Sequence, residues 1–591
     1  MKIRRFGAAV ALLATGALLL SACASSSSKS TNPTTKAAVN GGTLTVAEVN
    51  QFSSFNMSTA NGNSDINAKI ELATRSNFNF IDADLKVQKD TSFGTYEVTS
   101  QNPLTVKYTV KEGVKWSDGV QVGGADLLLA WAVYSGYYNS GTAGADGKVT
   151  TGTNYFDYAG TTTGLGLTAL PVLGSDGRSL TLVYSKPYAD WEISFGVDQP
   201  AHVVAAHAGL KDEQALIDLF KATPKGDPAK PAAADPALKK VATFYNTGFD
   251  STTLPTDPSL YLADGPYIVS GVQENQSVTL TKNPKYTGDH TGKLDSIIMR
   301  TIPDAQAQIQ ALHNGEVDVV SPQSSADTLA ALKKVQGVTV QQGNQLSYDH
   351  LDINFSGVFA DANVRDAFMK TVPRKAILDA IITPQKSDAQ VLNSQIFVPA
   401  NAGYTDSVKG NGSSAYGDPD IAGAKKLLAG QTPTVRILYN KNNPNRVDEF
   451  TLISQSATQA GFKIVDVGDP AWSNLLGGGT YDASLFGWIN PGVGVSGVPQ
   501  IFGTGQQSNY NGFSDPAADK LMDQLITTTD IAKQVSLEQQ VDKAIFDAKY
   551  GLPLFQSVGV VAFSGRVQGL GKYQANQYGV WWNFWDWSVT S

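Results

Sequence analysis

Short runs in which apolar and polar residues alternate dominate the first half of the chain: GGTLTVAEVN (41–50), TYEVTS (95–100), LTVKYTV (104–110), SLTLVYS (179–185), GPYIVSGV (265–272) and SVTLTKN (277–283). A period of two sets one face of each run on a core and the other toward solvent, so all six are expected strands, separated by Gly, Asp and Asn turns. Between them GADLLLAWAVYSGYY (124–138) reads as a helix. The Gly/Thr-rich run 141–163 reads as a long loop, and 211–236, rich in Lys, Asp, Ala and Pro, as an inserted surface helix and loop. From residue 304 onward the pattern changes. AQAQIQALHNGEVDVV (305–320) carries apolar residues at helical spacing and then a short buried strand, and further helix and strand segments alternate through YDASLFGWIN (481–490). Strands alternating with helices of 10–15 residues predict an α/β lobe. A helix near 536–549 and a strand-rich tail follow, ending in WWNFWDW (581–587), whose alternation is expected to bury half of its rings.

The N-terminus departs from all of this. Lys2, Arg4 and Arg5 precede an apolar run, 6–20, too short to span a bilayer and of the length of a signal-peptide core. Leu20-Ser21-Ala22-Cys23 then matches the bacterial lipobox, and Cys23 is the only cysteine of the chain. Residues 1–22 are therefore an expected lipoprotein signal peptide, Cys23 the lipidated residue, and the Ser/Thr-rich stretch 23–40 a flexible tether. Two or three acyl chains hold a protein stably where one does not. With its single thiol lipidated the chain has no disulfide to draw on, so its fold rests on its core. No later segment approaches 18 consecutive apolar residues.

Composition narrows the class. The 591 residues exceed what one core supports, so two or more lobes are expected. Lys and Arg number 45 against 53 Asp and Glu, a net charge of −8; removal of the three N-terminal cations leaves 42 against 53, or −11. Acidity spread along the chain argues against nucleic acid and against a polybasic membrane patch. The surface, poor in charge and rich in Gly, Ser, Thr, Asn and Gln, suits an actinobacterial exported protein.

Five ordered segments carry a resemblance. YTVKEGVKWSDGVQVGGADLLLAW (108–131) has a strand, an aromatic followed by Ser117-Asp118-Gly119, and a helix opened by Gly124-Ala125-Asp126. Asp-Gly favours a tight turn and Asp126 falls in the first helical turn, so this is a scaffold corner and not a catalytic site. Gly265-Pro266-Tyr267 with LDSIIMRTIPDAQAQIQALHNGEVDV, Tyr348–Asn354 with Val364-Arg365-Asp366-Ala367 and Pro373-Arg374-Lys375, FSDPAADKLMDQL and YGLPLFQ follow in order. The chain resembles the oligopeptide-, dipeptide- and nickel-binding proteins of ABC importers, solute-binding protein family 5, over nearly all its length after the tether. That resemblance implies an α/β, two-lobed periplasmic-binding-protein fold of the large three-subdomain class. It implies an N-lobe over 41–348 with an inserted subdomain at about 72–185, a C-lobe over 349–555, and a return to the N-lobe over 556–591. The crossings are expected near 348–354 and 553–557. It also implies closure of the lobes over a ligand, read by ABC permease subunits.

In peptide-binding members an aspartate three residues after a C-lobe tryptophan pairs with the peptide's amino terminus. Here that position after Trp488 is Pro491, and neither Asn490 nor the following GVGVSGVPQ supplies a carboxylate; Asp482 is a substitute, but Tyr481-Asp482 reads as the start of the strand and not as cleft lining. A desolvated ammonium needs a charged partner. Trp472 and Trp488 match tryptophans that wall the ligand pockets; such rings suit peptide side chains or the apolar faces of sugars, and core packing is the alternative. Phe52, Ser53 and Asn56 lie in the loop that reaches the ligand in the family, a plain surface loop being the alternative, and Asn490 completes the candidate ligand set.

Signals for chemistry are weak. Gly492-Val493-Gly494-Val495-Ser496-Gly497 has the spacing G-x-G-x-x-G without the βαβ context of a dinucleotide site. No G-x-S-x-G occurs. The five histidines, His202, His207, His290, His313 and His350, are scattered, so no metal or cofactor is expected. Two functions follow: a monomeric, lipid-anchored receptor on the outer face of the cytoplasmic membrane that delivers a peptide-like solute to an ABC permease, or an envelope lipoprotein on the same fold that binds a glycolipid or sugar and regulates envelope assembly.

Overall fold

The computed structural model describes residues 38–591 apart from 144–148, 490–492, 507, 574, 577 and 591. The signal peptide, Cys23, the tether as far as residue 37, Asn490 and Pro491 lie outside the described residues, whereas Ala38–Val39, at the end of the expected tether, is a strand paired with Ser588–Thr590.

A ten-stranded mixed sheet organises these residues. Its order is Tyr267–Gln273, Ser277–Lys282, Ser296–Thr301, Thr43–Glu48, Val319–Val320, Gly551–Ser564, Val338–Ile353, Ala483–Ile489, Thr434–Tyr439 and Lys463–Asp466. Two long strands stand at its centre and belong to both halves. Val338–Ile353 and Gly551–Ser564 run antiparallel, pairing Val338 with Ser564 at one end and Asp352 with Gly551 at the other, with register shifts at Asn344/Tyr348 and Asp349/His350. The crossings expected near 348–354 and 553–557 fall on the C-lobe end of this ribbon. On one side of it lies a core containing Leu44, Val46, Ile297, Val561 and Trp587. On the other lies a core of Leu351, Ile377, Val435, Leu485 and Leu552.

The six alternating runs of the first half all form strands where the pattern places them. A lateral unit is built on the sheet Gly94–Gln101, Leu104–Val110, Ser179–Val183 and Val172–Leu173, backed by the helix Gly124–Tyr134. Its core runs from Phe78 to Leu262, further than the 72–185 expected. The reason lies in 211–236 and just after it. Asp212 and Asp235 cap the helices Glu213–Ala222 and Pro236–Thr247, and these turn Leu216, Phe220, Leu238 and Val241 inward. A sparse apolar stripe inside a Lys- and Asp-rich segment read as surface.

The WSDG corner behaves as the sequence implies. Trp116 is fully buried, the Gly119 amide donates to its carbonyl, and Gly119 takes φ +105°, a conformation that favours glycine. Asp126 accepts from the backbone amides of Gly123 and Ala201, both at 2.8 Å, so it opens its own helix and fixes the next one. The terminal aromatics differ from expectation. Trp581–Asp586 is a 3-10 helix, and with Trp587 just after it the ring at every third residue (Trp581, Phe584, Trp587) is buried instead of those at alternate residues. Trp585 stacks on His290 with centroids 4.2 Å apart.

Candidate ligand-binding cleft

A cavity of about 620 Å³ opens between the two halves. One wall comes from the N-lobe and lateral unit, including Glu71, Asn77, Tyr134, Tyr158 and Tyr188; the other comes from the C-lobe, including Gln395, Trp488, Val493 and Ser496. Such a volume suits a small organic ligand. Tyr134 and Tyr158 stack at 4.6 Å, and the Tyr134 hydroxyl shares a 3.0 Å hydrogen bond with Ser58. On the far wall Trp488 lies parallel to both His350 and Tyr510, at 6.0 and 6.1 Å, with Phe486 edge-on at 5.2 Å. Its ring is thus held among aromatic neighbours, while Nε1 has no partner. Gln395 is buried; its carbonyl accepts from the Tyr348 hydroxyl at 2.5 Å, and its Nε2 is also unpartnered.

The two walls meet at Asp190. Its carboxylate accepts from the amides of Val495 at 3.0 Å and Ser496 at 2.9 Å and from the Ser496 hydroxyl at 2.6 Å. Ser496 Oγ also lies 3.0 Å from the Tyr188 hydroxyl, and the Ala189 amide donates to the Ile526 carbonyl at 2.8 Å. Gly494, at φ +82°, makes this approach possible: a Cβ there would stand 2.8 Å from Asp190 Oδ2. The stretch that carries the G-x-G-x-x-G spacing is thus, from 493 on, a docking loop for Asp190.

Glu71 is the charged group left over. Burial, and then Asp198, push its carboxyl up to about 7, against the lowering effect of Arg75 and the Met57 amide. Oε2 is shielded and unpartnered. Asp264 is likewise pushed up to about 7, and Arg75 is the cation acting on Glu71, Asp198 and Asp264 alike. The Arg75 guanidinium spends its protons on the Asp198 and Leu262 carbonyls and on Gln199 Oε1.

A second cavity of about 580 Å³ lies on the other face of the ribbon, lined by Glu48, Lys69, Asp349, Arg446 and Trp472. Its charges are paired with one another: Lys69 Nζ lies 2.5 Å from Glu48 and 3.3 Å from Asp65, and Arg446 binds Asp349 and Glu449. None of the unpartnered buried side-chain atoms among the described residues lines it, whereas Glu71, Gln395 and Trp488 all line the first.

The residues expected from sequence are distributed unevenly. Trp488 faces the first cavity and Trp472 the second, the two rings meeting on Phe486. Phe52, Ser53 and Asn56 line neither. Phe52 packs in the N-lobe core, Ser53 Oγ donates to the Asn61 carbonyl, and the buried Asn56 amide donates to the Tyr245 carbonyl at 2.9 Å. Asn56 thus fastens the loop to the lateral unit, and Ser53 ties the loop to its own neighbouring segment. Asp482 is bound by the Arg436 guanidinium and amide, which keeps it at the strand start and out of the cleft. Glu71, Asp190, Tyr188 and Gln395 were not singled out from sequence; a lone Glu within the helix Asp65–Thr74 and an Asp in an irregular stretch carry no motif. Nor did spacing indicate that Asp126, His202 and Glu213 converge, with ligand atoms within 4.8 Å. There Asp126 is already taken up by two backbone amides, and His202 Nε2 lies 2.8 Å from Asp118.

Residues 91–510 match the model of the bacterial extracellular solute-binding proteins, family 5. The chain belongs to this family. Among its relatives, the oligopeptide-binding protein OppA of Mycobacterium tuberculosis is 26% identical over 550 residues, covering 90% of this chain and 82% of OppA. An uncharacterized lipoprotein of the same organism is 24% identical over 552 residues, covering 90% and 91%. Among solved structures, the periplasmic EDTA-binding protein EppA superposes with a TM-score of 0.79 at 22% identity, covering 94% of this chain and 98% of EppA. The oligopeptide-binding protein AppA of Bacillus subtilis, in complex with a nonapeptide, gives 0.71 at 17% identity, covering 94% and all of its own chain. The fold is therefore that of a family 5 periplasmic binding protein, as the sequence segments imply.

Proposed function

We propose that this family 5 protein is the solute-capturing component of an ABC importer, held at the outer face of the cytoplasmic membrane by lipidated Cys23. The observation that carries the reading is the cavity between the two halves, walled by Tyr134 and Tyr158 on one side and Trp488 on the other and bridged at Asp190. A ligand that touches both walls favours the closed arrangement, and closure is what a permease can read. The relatives support the setting: one is named for oligopeptide binding and another as a lipoprotein.

The test is native mass spectrometry of the purified chain for retained solute, then titration of tryptophan fluorescence in wild type and Trp488→Ala. Saturable quenching or enhancement that depends on Trp488 is expected. A retained solute that perturbs Trp472 and leaves Trp488 silent would move the site to the second cavity. The absence of a carboxylate three residues after Trp488 favours a second reading, an envelope lipoprotein that binds a glycolipid or sugar. Retention of such a lipid with no response to any peptide would favour it.

A further inference from the structure

We infer that the cleft selects an organic cation without a free carboxylate: an amine on an apolar or aromatic body, bearing a neutral carbonyl or hydroxyl acceptor, with its ammonium held by Glu71 of the N-lobe. This rests on the reading of the first cavity as the capture site.

Three observations combine. The first is the balance of charge. The lining of the cavity contains Glu71 and Asp190 and no Lys, Arg or His, and the sequence from 489 to 508 contains none either. Asp190 is consumed by three donors from the opposite wall, so Glu71 is the charge that remains for a ligand. Behind Glu71 stand Asp198 and Asp264 with only Arg75 acting on all three, and Arg75 donates to carbonyl oxygens. A ligand cation supplies the missing charge; a ligand carboxylate would meet only like charge and be desolvated without a partner.

The second observation is the surround. Tyr134, Tyr158, Tyr188 and Trp488 present aromatic rings to the space, and ring faces attract a desolvated ammonium and cover the apolar body that carries it. The third is the pair of donors on the C-lobe wall. Trp488 Nε1 and the Nε2 of buried Gln395 are unpartnered, and both are donors only. They call for an uncharged acceptor at the far end of the ligand. An ammonium at one wall and a carbonyl or hydroxyl at the other also explains how one molecule draws the two lobes together.

The experiment uses the full-length chain in detergent and three tripeptide libraries of the same composition: free acids, C-terminal amides, and N-acetylated amides. Native mass spectrometry and tryptophan fluorescence report binding. The amides are expected to be retained at least tenfold more tightly than the acids, and N-acetylation to abolish retention. Glu71→Gln, which keeps an acceptor for the Met57 amide, is expected to lower amide affinity by tenfold or more and to leave the N-acetylated library unchanged. Trp488→Phe removes one donor and is expected to weaken the amides severalfold. Melting curves of both variants separate a loss of binding from a loss of fold. Acids bound as tightly as amides, N-acetylated peptides bound as well as free amines, or Glu71→Gln indistinguishable from wild type while folded would each overturn the inference and leave the capture site standing. If no library binds and no fluorescence change occurs, the capture site and the inference fall together.

Discussion

Replacing Asp190 with alanine separates closure from folding. In the closed arrangement its carboxylate takes the Val495 and Ser496 amides and the Ser496 hydroxyl, at 2.6–3.0 Å, and Asp190 is only 7% exposed. A hydrogen bond to a charged group contributes about 1.5–3 kcal/mol net. The three share one carboxylate, and water replaces all of them when the lobes part, so about 3 kcal/mol for the set is a reasonable magnitude. At about 1.4 kcal/mol per factor of ten, that is roughly a 150-fold shift of the closed-to-open ratio. Since a ligand that needs the closed form pays for the shift, apparent affinity should weaken by up to the same factor. The backbone carbonyl of Asp190 still accepts from Ser194 Oγ and the Ile193 amide, so its own loop keeps its support. Small-angle scattering with and without solute, together with fluorescence titration, makes the measurement. The ligand-free variant should have a larger radius of gyration than wild type and require more ligand to compact, at nearly unchanged melting temperature. Wild-type affinity and radius in Asp190→Ala, or a loss of affinity matched by an equal loss of global stability, would refute the argument.

Other outcomes follow from the same geometry. Gly494→Ala should act in the same direction as Asp190→Ala, because its Cβ would press on Asp190 Oδ2 from a backbone at φ +82°; equal closure in both proteins by scattering would contradict this. Burial pushes the carboxyls of Asp126, Asp264 and Glu449 up to about 7, Glu449 also sharing Arg446 with Asp349. A pKa raised on folding means the native state binds more protons, so that stability is fully present below the unfolded value near 4 and is lost as pH rises through about 7. The melting temperature should therefore rise as pH is lowered from 8 toward 5.5, each group contributing on the order of 1–3 kcal/mol, and a flat or opposite profile by differential scanning calorimetry would count against these protonation states. Cys23→Ala should release the chain from the membrane fraction; retention of the processed variant in that fraction would remove the lipid anchor from the proposal.

Much of the fold is legible in the sequence because it depends on local period and turn chemistry. The alternation of LTVKYTV sets its strand at Leu104–Val110, and Asp118-Gly119 sets the corner after Trp116. The candidate site is legible only in part. Trp488 is visible as an aromatic at the end of a strand, and its neighbours His350 and Tyr510 come from distant segments. Asn56 was expected to face a ligand, yet an amide serves equally well as a fastener between loops, and only the tertiary contact with Tyr245 decides. Glu71 shares a helix with Lys69, but Lys69 turns to Glu48 and Asp65 while Glu71 turns to the cleft, a difference of rotation that helical spacing leaves open until both neighbours are known. Asp190 carries no pattern because its partners, two backbone amides and the Ser496 hydroxyl, lie some 300 residues away. The terminal aromatics enter the N-lobe core at a period of three where alternation predicts two, because a run so rich in rings supports either until the core that receives it is specified.

The core beside strand Thr43–Glu48 draws on both ends of the described chain. Leu44 and Val46 come from the beginning, Val561 from the long strand Gly551–Ser564, Val567 from the short strand after it, and Trp581, Phe584, Trp587 and Val589 from the last residues, while Ala38–Val39 pairs with Ser588–Thr590. Synthesis delivers the chain from one end to the other. Every segment of the opposite core, from Leu351 to Val558, has emerged before the final tryptophans do. The first strand to emerge therefore waits longest for its partners, and the half of the molecule encoded in the middle is the half that can finish first. Until the last dozen residues arrive, the early strands hold an apolar face that Ile66, Ile70 and their neighbours cover only in part, an interval in which proteolysis and aggregation compete with folding.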